Sequence, residues 1–242
     1  MTSRAIIFIL NTGFTGLLIT NYRKPELFSE KDGMTSQSDP NEIYVALRKK
    51  IIHLELPPES VLNLSDLAKE FDVSRTPIKE VLISLQAEEW IMWQGSRFIV
   101  TPLSLERIRE ITEIRMVLEV KANIWAMERM TPLEWEELDR IRQEISGFSE
   151  KSSNESIIDF DFTIHHTIFK IAKNIQLAKL LERLLSHYLR FWLSIPRQID
   201  HSIFFQEVLE LIEAIRLKDE PLIRECTTNH IRNSVAQIMG TR

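Results

Sequence analysis

The sequence predicts a mainly α-helical chain with one short β-hairpin, divided into a smaller N-terminal and a larger C-terminal part. Gly is scarce, at 6 of 242 residues, while apolar residues make up 44% of the chain and recur at helical spacing over most of it. A single stretch, Trp90 to Thr101, breaks that rhythm with aromatic and β-branched residues around Gly95. Pro102 follows at once, and beyond it no convincing strand signal recurs.

Charge and cysteine usage narrow the function classes. A formal net charge of -5 excludes a polybasic protein, so any nucleic-acid surface must be a local patch. The single cysteine, Cys226, excludes an internal disulfide framework and fits a reducing cytoplasm. At the N-terminus, Ala5 to Leu10 and Phe14 to Ile19 form an apolar run behind Arg4, interrupted by Asn11, Thr12 and Gly13. The run falls short of the roughly 20 apolar residues that span a bilayer, and no small-x-small cleavage site follows it. No membrane partner is expected. Met34-Thr35-Ser36-Gln37-Ser38 is a polar leader into the first amphipathic stretch, so Met34 is the expected start and residues 1–33 are expected to carry no function.

From Asn41 to Leu54, Ile43, Val45, Leu47, Ile51, Ile52 and Leu54 alternate with Arg48, Lys49 and Lys50 as in an amphipathic helix, which Pro57-Pro58 should end. Val61 and Leu62 suit a short strand. Asn63 or Ser65 then caps a brief helix through Leu67, Ala68 and Phe71, and Asp72-Val73 turns the chain into Ser74. Ser74 is a natural N-cap, and Pro77 is tolerated in a first turn whose N–H groups have no intrahelical partner. Between Ser74 and Leu85, Ile78, Val81, Leu82 and Leu85 form one apolar face, which leaves Arg75, Thr76 and Lys79 on the other. Cations at a helix start meet phosphates or base edges, although the helix alone reads equally well as a charged surface helix. Its neighbours decide the matter. A capped helix precedes it, and a hairpin of Trp90 to Gln94 and Phe98 to Thr101 around Gly95-Ser96-Arg97 follows it, so residues 34–102 form a winged helix-turn-helix.

Residues 103–242 read as an all-α antiparallel helical bundle. The helical blocks run from Ser104 to Met130, Thr131 to Phe148, Asn154 to Lys173, Ile175 to Ile195, Asp200 to Leu217 and Glu220 to Met239. Thr131-Pro132, Ser152-Ser153-Asn154, Asn174, Pro196 and Pro221 supply the breaks or first-turn prolines.

Val73-Ser74-Arg75-Thr76-Pro77-Ile78-Lys79-Glu80-Val81-Leu82, within Asn63 to Val100, resembles the winged helix of the GntR family of bacterial repressors. The resemblance implies that Ser65, Ser74, Arg75, Thr76 and Lys79 bind operator DNA and that the wing, with Gly95 and Arg97, enters the adjacent minor groove. The family usually carries Arg where this chain has Lys79, which loses the bidentate contact to guanine. In the second part, Ile114-Arg115-Met116-Val117-Leu118-Glu119, Asp161-Phe162-Thr163-Ile164-His165 and Ala172-Lys173-Asn174 resemble the FadR C-terminal (FCD) effector domain.

Asp161 and His165 are four apart and share a helix face, and His230 lies on a face with Ile223 and Thr227. A carboxylate and two imidazoles suit a divalent transition metal such as zinc, nickel or manganese. On spacing alone each residue reads more readily as a satisfied core polar group or a member of a helix ion pair. In metal-binding FCD domains the matching set holds the metal with a further histidine, and that position falls here on Val208, which cannot ligate. Two readings stay open: an open site of three protein ligands, or a pocket that binds an organic effector directly. His166, turned toward Phe162, and His201, near a helix start, are weak substitutes. Arg115 lies on the inner face between Ile111 and Leu118, where a buried guanidinium demands an anion, either an effector carboxylate or Glu119 one turn on. Arg190, with Tyr188 and Trp192, lines the pocket or packs.

The resemblances imply a homodimeric DNA-binding transcriptional regulator, a repressor, controlled by a small carboxylate metabolite and with no catalytic role. Two rivals remain. One is a metal-dependent helical hydrolase or isomerase using Asp161, His165 and His230; the other is a helical interaction module with a vestigial helix-turn-helix.

Overall fold

The computed structural model describes residues 39–149, 151–196 and 201–240. The leader expected over residues 1–33, with a start at Met34, lies outside them. Among the described residues the chain is mainly helical, with one small sheet, and no helix is long and apolar enough to cross a membrane.

Helix α1 (Pro40–Ile52) begins where Asp39 accepts a hydrogen bond from the Asn41 N–H at 3.0 Å, with Pro40 in the first turn. It stops well before Pro57-Pro58. His53 caps it and Leu54 takes a left-handed φ of 62°, so the prolines lie beyond an end already made. Strand β1 (Val61–Leu62) leads to α2 (Leu64–Glu70), and Asn63 is the cap, accepting from the Ser65 N–H at 2.8 Å. Helix α3 (Arg75–Ala87) buries Ile78, Val81, Leu82 and Leu85 as its periodicity predicts. Ser74 stands at the cap position without making a cap hydrogen bond. The reason is chemical: the third helical residue, a usual donor to an N-cap, is Pro77, which has no N–H.

Strands β2 (Ile91–Gln94) and β3 (Arg97–Val100) pair antiparallel with Gln94 opposite Arg97. The wing turn is therefore Gly95-Ser96, and Gly95 supplies the positive φ of 64° that it needs. β1 pairs with the other edge of β3, giving the order β1-β3-β2. Leu47, Ile51, Leu82, Leu85, Trp90 and Val100 form the core beneath this sheet.

The second part comprises α4 (Leu105–Arg129), α5 (Pro132–Glu144) with a 3₁₀ turn at Ile145–Gly147, α6 (Asn154–Ile171), α7 (Ile175–Leu193), α8 (His201–Leu217) and α9 (Glu220–Met239). Ser104, Thr131, Ser153, Asn174 and Asp219 cap five of them through side-chain oxygens, and Thr131 forms a full capping box with Glu134. Helix α4 packs against α6, α7, α8 and α9, which makes it the axis of the bundle. One apolar cluster, with Ile164, Leu211 and Ile215, lies to one side of it, and another, with Phe169, Leu185 and Leu189, to the other.

The two parts meet along α7. Trp90 stacks on His187 with ring centroids 3.7 Å apart, and His187 donates from Nε2 to the Glu88 carbonyl at 2.9 Å. Arg48 donates to Ser186 Oγ at 3.0 Å, Arg190 donates to the Thr101 carbonyl at 2.8 Å, and Arg107 pairs with Glu89 at 2.6 Å. Burial, helped by the positive charge of Arg107, depresses the His187 imidazole from 6.5 to about 3. Because the folded value lies below the unfolded one, this contribution to stability is complete above pH 6.5 and is lost as pH falls toward 3. At about pH 5.5 the loss is on the order of 1.4 kcal/mol. Urea unfolding of wild type and His187→Gln at about pH 7.5 and about pH 5.5 checks this: wild type should lose more stability on acidification than the variant, whereas an equal loss would contradict it.

Candidate functional site

Residues four apart on a helix share a face, so Arg115, Glu119 and Asn123 form a polar stripe along α4. The stripe is buried, with exposures of 2%, 0% and 1% in an otherwise apolar bundle. Arg115 donates from Nε to Glu119 Oε1, and its guanidinium lies 4.5 Å from the ring centroid of Tyr188 on α7. Glu119 is thus the anion that Arg115 requires. The pairing is incomplete, since Arg115 Nη1 has no hydrogen-bond partner among the described residues. One turn on, Asn123 donates from Nδ2 to Thr227 Oγ1 at 2.8 Å, and the Thr227 hydroxyl donates to the Ile223 carbonyl at 2.7 Å. That order fixes the amide orientation and leaves Asn123 Oδ1 as a buried acceptor with no partner among the described residues.

The candidate metal ligands converge beside this stripe. Asp161, His165 and His230 are buried, and each offers one ligand atom within 4.8 Å of the others. His165 Nε2 lies 3.4 Å from both His230 Nε2 and Asp161 Oδ1, and His230 Nε2 lies 3.9 Å from that oxygen. On the outer side, His230 donates from Nδ1 to Glu207 Oε2 at 3.0 Å, and His165 Nδ1 faces Glu119 Oε2 at 3.4 Å. In the tautomers that carry the proton on Nδ1, both Nε2 lone pairs and a carboxylate oxygen point at one another. Three acceptors so placed repel unless a proton or a metal cation lies among them. Burial opposes charge on His165, but Glu119 and Asp161 outweigh it and hold the imidazole above its ordinary value. Burial likewise opposes charge on Asp161, and His165 beside it brings the carboxyl below its ordinary range.

The donor set fits a metal. Donors about 2.0–2.1 Å from a tetrahedral ion stand about 3.4 Å apart, close to two edges of this triangle, and the carboxylates on both Nδ1 atoms are the outer partners such histidines use. Three protein ligands leave an open position.

Other predicted residues are placed elsewhere. Val208 is buried in the apolar cluster with Leu211 and Ile212 and offers no ligand. Glu207, one residue earlier and so about 100° around α8, turns its carboxylate to His230 and Asn233 instead. His166 stacks on Phe162 and sits 2.9 Å from Glu182, and His201 opens α8 near Phe205; neither belongs to the cluster. Arg190 is not brought to Arg115: it reaches the Thr101 carbonyl at the junction of the two parts. In the winged helix, Arg75, Thr76 and Lys79 on α3 and Gly95 and Arg97 at the wing tip are exposed, with Ser65 in the first turn of α2 and Ser74 just before α3. Among the described residues Arg75, Lys79 and Arg97 form no ion pair, whereas Lys50 nearby is paired with Glu70. Sequence reasoning missed Glu207 and the outer role of Glu119. Their signal was an acidic residue facing inward on a helix adjoining the histidines, which periodicity alone does not separate from a surface acid.

A winged helix carrying unpaired cations, joined to a helical domain with a buried polar centre, defines a DNA-binding transcriptional regulator. The comparisons agree: the model described as "Bacterial regulatory proteins, gntR family" matches residues 40–100, and that of the FCD domain matches residues 110–233, just over half of the chain. The chain belongs to the GntR family of bacterial regulatory proteins and carries an FCD domain. It is 25% identical over 188 residues to the HTH-type transcriptional regulator McbR of Escherichia coli (strain K12), spanning 75% of this chain and 84% of that one. It is 24% identical over 203 residues to the HTH-type transcriptional repressor RspR of the same organism, spanning 81% and 89%. The solved structure of Escherichia coli McbR/YncC shares the fold, with a TM-score of 0.73 and 22% identity over 86% of this chain and 99% of that one.

Replacing Glu207 by Gln should weaken zinc binding by about tenfold or more, because the imidazole of His230 loses its charged outer partner. Competition against a chromogenic chelator measures this, and an unchanged affinity would place Glu207 outside the site.

Proposed function

We propose that this chain is a cytoplasmic, homodimeric repressor whose operator affinity is set by a small carboxylate metabolite, bound in the helical domain beside a divalent transition metal. The observation that carries the reading is the convergence of Nε2 of His165, Nε2 of His230 and the Asp161 carboxylate, with a buried carboxylate beside each Nδ1. Asp161, His165 and His230 would hold zinc, nickel or manganese, which when bound supplies a Lewis-acidic position for an effector oxygen. Arg115 lies next to that position with Nη1 to offer. An incoming carboxylate competes with Glu119 for the guanidinium, and that competition bears on Tyr188 and hence on α7. A coupling of about 1–3 kcal/mol between effector and operator is enough for regulation.

In this reading residues 34–102 bind DNA and residues 103–242 sense and dimerise. Arg75, Thr76 and Lys79 enter the major groove, supported by Ser65 and Ser74, and Gly95 and Arg97 bring the wing to the adjacent minor groove. Lys79 offers a point charge, so Arg75 carries the bidentate base contact. Paired half-sites require two copies of the winged helix. The repressor names of two relatives, RspR and the gluconate operon repressor of Bacillus subtilis, favour repression. The enzymatic alternative needs a free general base at the cluster. Of the neighbouring carboxylates, Glu119 pairs with Arg115 through Oε1, and both oxygens of Glu207 are held by His230 and Asn233, which favours sensing over catalysis.

Gel-shift titration on an operator selected from random DNA tests both halves. Arg75→Ala should weaken binding about tenfold or more. Arg115→Lys, which keeps a cation opposite Glu119 but not the guanidinium fork, should bind operator within a few-fold of wild type and lose most of the response to carboxylates. Unchanged operator affinity in the first variant would remove the DNA assignment, and an intact response in the second would remove the effector site.

A further inference from the structure

Away from the metal ligands, the junction between the two parts holds a small, partly open cleft, with an enclosed volume of about 10 Å³, lined by Thr101, Ser104, Arg107, His187, Arg190 and Phe191. Arg190 is only 2% exposed, yet no carboxylate pairs with it among the described residues. Its Nη2 donates to the Thr101 carbonyl, and its Nε has no partner among them. A buried guanidinium ordinarily stands against an anion. The cleft has an excess of positive charge instead. Arg107 also lines it, with Glu89 as its own partner, and the first turn of α4, the positive end of a long helix, closes the wall at Ser104. Burial and the charge of Arg107 hold the Arg190 guanidinium down at about 10.

We propose that this cleft is a second ligand site, which takes one oxygen of a small oxyanion between Arg190, Arg107 and the N-terminus of α4, with the rest of the anion in its open mouth. Phosphate and carboxylate share the chemistry that the site recognises: a delocalised negative charge with oxygens to accept from a guanidinium. The bound anion ties α7 to the segment that joins the wing to α4. It thereby acts on the orientation of the winged helix from a position distinct from the metal centre, along the helix that carries Tyr188. The assignment does not depend on the identity of the effector or on metal occupancy.

Isothermal titration of the full-length protein with inorganic phosphate, and separately with acetate, against a chloride background of constant ionic strength tests the proposal. Wild type should bind at least one of the two saturably, and Arg190→Gln, with unchanged circular dichroism, should bind it about tenfold or more weakly. The relative affinity of phosphate and acetate identifies which oxyanion the cleft prefers. Arg107→Gln, at a more exposed position, should show a smaller loss and decides the matter if Arg190→Gln does not fold. Arg75→Ala separates binding at the recognition helix from binding at the junction. Failure of wild type to bind either anion, equal affinity in the folded junction variants, or a loss confined to Arg75→Ala would overturn the assignment.

Discussion

The carboxylate of Glu119 is fully buried in the middle of a helical bundle, and most of what is distinctive about the molecule follows from keeping it paired. A charge removed from water in this way must be compensated at close range, and deleting one member of a buried pair costs about 3–5 kcal/mol. Glu119 meets Arg115 on one side and His165 on the other. His165 in turn faces Asp161 and His230, and His230 leans on Glu207. A chain of charged and polar groups therefore crosses the bundle from α4 through α6 and α9 to α8. Apolar side chains pack on both flanks of it, so the polar groups hold one another in register and have little room to turn outward.

The same helices connect this centre to the DNA-binding end. Helix α4 starts just beyond the wing and carries Arg115 and Glu119 further along its length. Helix α7 presents Tyr188 to Arg115, while the neighbouring residues Ser186, His187 and Arg190 hold the winged helix through Arg48, Trp90, Glu88 and Thr101. A change in what Arg115 binds is thus one residue away from the contacts that orient the recognition helix. Rigid elements with contacts at both ends give a physical route for coupling between a buried ligand and DNA.

The elements themselves were legible in the sequence because each has a local cause. The apolar stripe of α3, the strand-forming residues on either side of Gly95 and the breaks at Thr131, Ser153 and Asn174 act within a few residues. Helix ends set by side-chain or backbone detail were less so. Ser74 looked like an active cap, but Pro77 removes a donor it would need; Pro57-Pro58 looked like the end of α1, but Leu54 turns first. The centre was legible in part. Asp161, His165 and His230 stand out because their spacing is helical and their chemistry is shared, and Arg115 stands out as a cation on an inner face. Glu207 and Asn123 were not, since their roles arise only when α8 and α9 pack against α4 and α6. Arg190 was expected in the same pocket as Arg115, yet a position two residues after Tyr188 on α7 faces the junction, about 200° around the helix.

Anomalous diffraction from crystals grown with zinc puts this arrangement to its sharpest test. A single strong peak should lie about 2.0–2.2 Å from Nε2 of His165, Nε2 of His230 and a carboxylate oxygen of Asp161, with Glu119 and Glu207 still on the two Nδ1 atoms. A peak elsewhere, or none at these three atoms, would contradict the view that the buried charges are organised around a cation.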